Sequence, residues 1–145
     1  MSEKAATEKE ILLVEDNPDD VELTRIAFAE AGGEYRLRVV SDGAAALSYL
    51  YACAPADLPA LVLLDLNLPK LDGREVLEAI RAEPSTRSLP VVVLTTSAEP
   101  FDVEKVYALG ANSYIQKPVE FERFVDVVRQ IGLYWLALNQ PPTPP

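Results

Sequence analysis

The sequence predicts an α/β fold in which helices cover both faces of a parallel β-sheet. Short apolar segments of strand length alternate along the chain with longer segments of helical character. Three of the short segments, at 11–14, 61–64 and 91–94, are continuously apolar, as strands covered on both faces must be. The chain of 145 residues has the length of a single domain of this class.

The first half of the chain contains two strand–helix units. The strand at 11–14 is followed by Asn17-Pro18, a pair typical of a helix N-cap and the first helical position. The helix ends at Gly32-Gly33, because glycine commonly follows a helix C-terminus. The next strand, at 35–40, alternates in polarity as an edge strand does, and Asp42 starts the second helix as a turn and cap residue.

The second half of the chain contains three further units. Strands are predicted at 61–65, 90–95 and 113–117, with helices from Asp72 or Gly73 to about Ala82, near 101–109 and over 120–138. Residues 1–9 are polar and residues 139–145 are rich in proline. We therefore expect a disordered N-terminal tail, one domain over 10–138 and a proline-rich C-terminal tail.

Composition narrows the possible functions. Acidic residues outnumber basic ones by 23 to 13, so the chain should repel nucleic-acid phosphates. The absence of histidine excludes Ser–His–Asp and Cys–His nucleophiles and histidine-ligated metals. A single cysteine, a polar start and the lack of an apolar run of ~18 residues favour a cytoplasmic protein without a membrane span.

Polar side chains stand where the predicted strands end. In a flavodoxin-like doubly wound sheet with strand order 2-1-3-4-5, the carboxyl ends of the first, third, fourth and fifth strands are neighbours and form the ligand-binding edge. The residues at these four ends are Glu15, Asp16, Asp65, Thr95 and Lys117. We therefore expect three carboxylates, one hydroxyl and one ammonium group in a single pocket.

This set of groups favours phosphoryl transfer onto an aspartate, assisted by Mg²⁺. Three adjacent carboxylates repel one another, and a divalent cation relieves the repulsion. Mg²⁺ prefers oxygen ligands and leaves positions open for phosphate oxygens. Lys117 can anchor a phosphoryl group, Thr95 can donate a hydrogen bond to it, and a carboxylate can be the nucleophile.

Each of these residues also has a plainer interpretation. A lone aspartate at a strand end is commonly a turn or cap residue, and we assign that role to Asp42. Thr95 could belong to a capping stretch, and Lys117 could be a solvated surface lysine. The joint arrangement favours a functional site, because four separate strand ends carry groups of matching chemistry.

Four segments resemble the motifs of receiver domains of two-component response regulators. The resemblance extends over roughly residues 10 to 138, and the four motifs together are far more specific than any one of them. The segments are VEDN (14–17), LLDLNLPKLDG (63–73), VVLTTS (92–97) and GANSYIQKP (110–118).

The resemblance implies a role for each acidic residue of the site. Asp65 would be the aspartate that accepts the phosphoryl group. Asp16 and Asp65 would bind Mg²⁺ directly, together with the backbone carbonyl of Asn67. Glu15 stands where aspartate is the commoner residue and would act through water.

The resemblance also implies a switch. Lys117, joined to Pro118 by a cis peptide bond, would contact the phosphoryl oxygens. Thr95 would move toward the phosphoryl group, and Tyr114 would fill the volume that it leaves. Tyr114 can equally be a strand residue packed against the fourth helix, and both roles can hold.

The last predicted helix is apolar on two faces, which one core cannot satisfy. We expect one face to pack on the sheet and the other to contact a partner, most simply a second copy of the chain, together with the fourth helix and fifth strand. The alternative is that the helix end folds back on its own domain. The expected partner contacts are Val127, Ile131, Tyr134, Trp135 and Leu138.

A narrower resemblance is to single-domain response regulators that accept phosphate from bacterial phytochrome histidine kinases. It is carried by NPDDVELTR, DLNLPKLDGREVL, VVLTTS and FERFVDVVRQIGLYWL. The expected function is a phosphorylation-dependent signalling protein that turns over no external metabolite. A receiver that only drains phosphate from a kinase remains open.

Two other classes fit the sequence less well. An aspartyl-phosphate phosphatase would need a second aspartate two residues after the nucleophile, where this chain has Asn67. A flavin or nucleotide domain would need a glycine-rich or hydroxyl-rich loop after the first strand, where this chain has Glu-Asp-Asn-Pro.

Overall fold

A computed structural model describes residues 9–32, 35–96 and 99–142. Within these ranges, five parallel strands form one sheet in the order β2-β1-β3-β4-β5, which confirms the predicted fold class and strand order. The strands are β1 (Lys9–Val14), β2 (Tyr35–Val40), β3 (Leu61–Leu64), β4 (Val91–Thr95) and β5 (Ser113–Gln116).

The helices connect consecutive strands, as the alternating pattern predicts. They are α1 (Pro18–Ala31), α2 (Gly43–Ala52), α3 (Gly73–Ala82), α4 (Pro100–Ala108) and α5 (Phe121–Ile131). A short 3₁₀ helix (Pro55–Asp57), which the sequence did not predict, precedes β3. The structure has no described helix that is long and apolar enough to cross a membrane.

The core consists of two layers, one on each face of the sheet. Successive residues of a strand point to opposite faces, so the fully apolar β3 contributes to both layers. Leu61 and Leu63 pack in the layer beneath α1 and α5. Val62 and Leu64 pack in the layer beneath α2, α3 and α4. Continuous apolarity in this strand is therefore explained by burial on both sides.

Side-chain caps fix the starts of three helices near the carboxyl edge of the sheet. The Asn17 side chain accepts hydrogen bonds from the amides of Asp19 (2.8 Å) and Asp20 (3.2 Å) at the start of α1. Asp42 accepts one from Ala45 at 2.7 Å. Asp72 forms a capping box at the start of α3. The cap roles predicted for Asn17 and Asp42 are thus confirmed.

The structure describes only the innermost residues of the two predicted tails. Lys9, assigned to the N-terminal tail, instead begins β1 and pairs with Tyr35 of β2. Residues 1–8 and 143–145 lie outside the described residues. Residues 139–142 form neither helix nor strand, as predicted for that part of the proline-rich tail.

The last helix changes type, which corrects part of the predicted partner face. From Gly132 to Leu138 the chain is a π-helix, whose hydrogen bonds span five residues instead of four. The wider turn brings Leu136, five residues after Ile131, into the same buried layer as Ile131. Ile131 is only 3% exposed, so its predicted partner contact is wrong.

The other four residues of the predicted partner face are distributed between the core margin and the surface. Val127 and Trp135 are half-buried against the layer beneath α1 and α5. Tyr134 and Leu138 are exposed, as is Leu133, which the prediction omitted. A continuous α-helical period could not reveal this division, because the π segment shifts the buried stripe.

The first strand holds the end of the last helix. The Lys9 ammonium donates a hydrogen bond of 2.5 Å to the carbonyl of Leu136. The amide of Asn139 donates to the carbonyl of Tyr134 at 2.6 Å. These bonds pair carbonyl groups that the end of a helix otherwise leaves unsatisfied.

Candidate functional site

Three carboxylates meet at the carboxyl edge of the sheet. Glu15 and Asp16 follow β1, and Asp65 follows β3, its neighbour in the sheet. Each offers an oxygen atom, and these atoms all lie within 4.8 Å of one another. Glu15 and Asp65 are buried whereas Asp16 is exposed. The predicted cluster is therefore present, and its oxygen donors are those that Mg²⁺ and Mn²⁺ accept.

Lys117 faces this cluster from the end of β5. Its Nζ atom lies 2.7 Å from Glu15 Oε1 and 3.8 Å from Asp65 Oδ2. Its backbone amide donates to the carbonyl of Thr95 at 2.7 Å, which fixes the lysine at the strand end. The ammonium group is mostly buried, so the interpretation of Lys117 as a solvated surface residue does not hold.

The pKa values of Glu15 and Lys117 are both raised, which favours the neutral form of the carboxyl group and the charged form of the ammonium group. Burial raises the pKa of Glu15 to about 7, although the hydrogen bond and charge of Lys117 act to lower it. Burial acts to lower the pKa of Lys117, but its bond to Glu15 and the surrounding carboxylates raise it overall. The lysine therefore stays charged, and it partly offsets the carboxylates.

Thr95, the last residue of β4, completes the group at the edge. It is 0% exposed, and its hydroxyl oxygen has no hydrogen-bond partner among residues 9–32, 35–96 and 99–142. A buried hydroxyl normally has a partner. A buried hydroxyl without a protein partner is expected where the acceptor of its hydrogen bond is a ligand.

The loop after Asp65 is held close to it. The amide of Asn67 donates to Asp65 Oδ1 at 3.3 Å. A Cβ atom at Gly73 would lie 2.4 Å from the carbonyl oxygen of Asp65, so only glycine allows α3 to start this close. The Asn67 residue is exposed, and the bond from its amide keeps its backbone beside the Asp65 carboxylate.

Tyr114 lies in β5, which is separated by β4 from the strand that Asp65 follows. It is half-buried and packs against the core layer that contains Val106 of α4. Its backbone amide donates to the hydroxyl of Tyr107 at 3.1 Å. The packed strand residue predicted as one of its two roles is therefore present.

The peptide bond before Pro118 differs from the expectation. No cis peptide bond occurs in the part of the chain that the structure describes, so the Lys117–Pro118 bond is trans. Trans is the commoner isomer before proline, by about 0.5–1 kcal/mol.

Sequence reasoning missed the ion pairs of two acidic residues. Asp20, in the first turn of α1, places a carboxylate oxygen 3.5 Å from Lys117 Nζ. Asp102, in α4, forms an ion pair of 2.8 Å with Arg74 of α3. The available signal was that Asp20 lies in the first turn of a helix that starts shortly after β1. No local pattern indicates the Arg74 pair, because it joins distant segments.

The chain matches the family model described as the response regulator receiver domain over residues 11–129. This range contains strands β2 to β5, all of β1 except its first two residues, and every site residue described above.

Curated relatives cover most of the chain. A probable methanogenesis regulatory protein, FilR2 of Methanothrix harundinacea, is 45% identical over 92% of this chain and 88% of its own length. The response regulator Rcp1 of Synechocystis is 40% identical over 94% of this chain and 95% of its own.

Solved structures of similar proteins have the same fold. The phosphorylated cyanobacterial phytochrome response regulator RcpA is 39% identical, with a TM-score of 0.85 over 94% of this chain and 99% of that chain. The Mn²⁺-bound form of Rcp1 is also 39% identical, with a TM-score of 0.82 over 92% and 99%. Divalent metal binding in a similar protein fits the acidic cluster found here.

Proposed function

Because the chain belongs to the response regulator receiver domain family, we propose that it accepts a phosphoryl group from a sensor histidine kinase on Asp65. The observation that carries the proposal is the joint position of Asp65, its two neighbouring carboxylates and Lys117. The curated relatives are described as regulators, which agrees with a signalling role. Its own chemistry would be limited to phosphorylation and dephosphorylation of Asp65.

Asp65 is the best-placed nucleophile. Its carboxylate attacks the phosphorus atom of a phosphohistidine; a P–O bond forms as the P–N bond breaks, and the imidazole leaves. Lys117 Nζ, 3.8 Å from Asp65 Oδ2, can move onto the new phosphoryl oxygens. Glu15, Asp16, Asp65 and the Asn67 carbonyl would hold Mg²⁺, which supplies positive charge against the added phosphate.

Thr95 and Tyr114 are the proposed switch. The Thr95 hydroxyl lacks a partner among the described residues, so a phosphoryl oxygen offers the acceptor that the resting protein does not. Movement of Thr95 out of β4 would leave volume beside β5, and Tyr114 lies in β5, next to β4. A phosphoryl group biases a pair of states that exist already, and charge-assisted bonds of about 1.5–3 kcal/mol each supply the bias.

The test is phosphorylation by acetyl phosphate with Mg²⁺, followed by intact mass. The wild type should gain one phosphoryl group, which hydroxylamine removes, and Asp65→Asn should gain none. Asp42→Asn is the matched control, because it removes another carboxylate while asparagine still caps α2. A phosphorylated Asp65→Asn variant, or an unmodified wild type that also fails to bind beryllofluoride, contradicts the proposal.

We propose a phytochrome-type kinase as the phosphate donor. The support is the similarity to RcpA and Rcp1. FilR2, which is 45% identical, is described as a probable methanogenesis regulatory protein, so the donor has to be tested directly. An autophosphorylated bacterial phytochrome kinase should transfer phosphate to this chain much faster than an unrelated sensor kinase does. Equal rates from both kinases would contradict this assignment.

We propose a homodimer through the exposed part of the last helix, with α4, β5 and α5 as the adjoining surface. Tyr134 and Leu138 are 50% and 61% exposed, and half-buried Trp135 and Val127 border them. Tyr134→Ser with Leu138→Ser should shift light-scattering mass toward the monomer. Tyr51→Ser is the control, because Tyr51 is 49% exposed elsewhere. A monomeric wild type, with or without phosphorylation, contradicts the dimer.

A further inference from the structure

Asp20 shares the ammonium group that the phosphorylation site needs. Its carboxylate Oδ2 lies 3.5 Å from Lys117 Nζ. The same nitrogen lies 2.7 Å from Glu15 and 3.8 Å from Asp65. The Lys117 ammonium group therefore lies within 4 Å of three carboxylates. One of them, Asp20, is not part of the cluster that could hold a metal.

The start of α1 fixes Asp20 in this place. The Asn17 side chain accepts the Asp20 amide at 3.2 Å, and the carbonyl of Asp20 accepts the Thr24 hydroxyl at 2.7 Å. Asp19 belongs to the same turn and bonds to the same cap, but it is exposed. Its carboxylate forms no ion pair with the residues that the structure describes. The two neighbours thus differ mainly in contact with Lys117.

We propose that Asp20 is a positioning residue that competes with the phosphoryl group for Lys117 and thereby makes the phosphorylated state less stable. The proposal rests on phosphorylation of Asp65. When Asp65 gains a phosphoryl group, the site gains about one further negative charge. Lys117 must then turn toward the new oxygens, away from Asp20.

The geometry sets the size of the effect. Asp20 and Asp65 both lie within 4 Å of Lys117 Nζ, so their facing oxygens are no more than about 7 Å apart. One added charge at about 7 Å, at the partly exposed edge of the site, changes an equilibrium by about three- to tenfold. Removal of the Asp20 charge should therefore favour phosphoryl binding by that factor.

The test compares Asp20→Asn with Asp19→Asn at saturating Mg²⁺. Both variants remove one charge from the first turn of α1, so they alter the helix dipole interaction equally. Asp20→Asn should bind beryllofluoride about three- to tenfold more tightly. It should also lower the half-saturating concentration of acetyl phosphate by a similar factor, with a maximal rate within about twofold of wild type. Asp19→Asn should match the wild type.

A purely structural role predicts a different pattern. Loss of packing would reduce both the maximal rate and the affinity, and Asp20→Glu would not restore them. In our proposal Asp20→Glu keeps the charge and the reach, so it should behave as the wild type does. Equal beryllofluoride affinity in the Asp20→Asn and Asp19→Asn variants, or weaker binding in Asp20→Asn, overturns the inference.

The experiment separates this inference from the proposed function. If the wild type takes up neither acetyl phosphate nor beryllofluoride, phosphorylation of Asp65 itself fails. If the wild type is phosphorylated and Asp20→Asn binds beryllofluoride no more tightly than Asp19→Asn does, only the proposed role of Asp20 fails.

Discussion

Replacement of Thr95 by valine should stabilise the resting protein. Valine has nearly the shape of threonine, so the substitution removes the hydroxyl and leaves the packing of β4 intact. The hydroxyl is fully buried and has no partner in the described ranges. Within the described residues no hydrogen bond replaces the one to water that the hydroxyl loses on folding, and this loss destabilises the resting protein.

The size of this cost follows from the burial of the hydroxyl. An unsatisfied buried donor costs about 1–3 kcal/mol, and an apolar group of the same shape does not carry this penalty. We therefore expect Thr95→Val to raise the free energy of unfolding by about 1–3 kcal/mol. For a domain of this size, that corresponds to a rise in Tm of about 3–10 °C.

Urea unfolding and calorimetry without Mg²⁺ measure the change. The matched control is Thr96→Val, because Thr96 is the next residue and is exposed; its effect should stay within about 0.5 kcal/mol. Thr95→Val should still be phosphorylated on Asp65. Phosphorylation should slow amide exchange around Tyr114 in the wild type and should leave it unchanged in Thr95→Val. A variant less stable than wild type would refute the reasoning, because it would mean that the hydroxyl is paired at rest.

Three further predictions concern the electrostatics and packing around the site. Burial raises the pKa of Glu15 to about 7, so Mg²⁺ affinity measured by calorimetry should rise from about pH 6 to about pH 8 as the carboxyl loses its proton; an equal rise in Glu15→Gln would contradict this. Gly73→Ala should lower the free energy of unfolding in urea by about 1–3 kcal/mol, because its Cβ would lie 2.4 Å from a carbonyl oxygen. Gly132→Ala, whose nearest neighbour is 3.9 Å away, should raise that free energy by about 0.5–1 kcal/mol. Equal effects of the two substitutions would show that the close contact at Gly73 does not limit stability. Arg74→Met breaks the 2.8 Å pair with Asp102 and should make hydrogen exchange in the first turn of α4 about two- to fivefold faster; unchanged exchange would mean that the pair does not hold the helix.

The sequence predicts the fold and the principal site well because both depend on local patterns. Strand β2 spans the residues that its alternation indicates, and the Asn17 and Asp42 caps start their helices as predicted. The carboxylates and Lys117 could be placed together because parallel strands end at one edge of a sheet. Strand order then decides which ends are neighbours.

What the sequence could not predict depends on contacts between distant segments. The Asp20–Lys117 approach requires the orientation of α1 relative to β5. The burial of Leu136, five residues after Ile131, depends on the π-helical turn, and the apolar run that contains both residues carries no local signal for that turn. The 3₁₀ turn before β3 is too short for a periodic signal.

The bond between Lys9 and Leu136 also bears on where a label can be attached to the protein. It ties the start of β1 to the end of the last helix, so both ends of the described chain leave at the edge of the sheet opposite Asp65. A strand of six residues spans about 20 Å. A dye or a surface tether attached at the start of β1 or at the end of the last helix would therefore sit about one strand length from the carboxylates of the site.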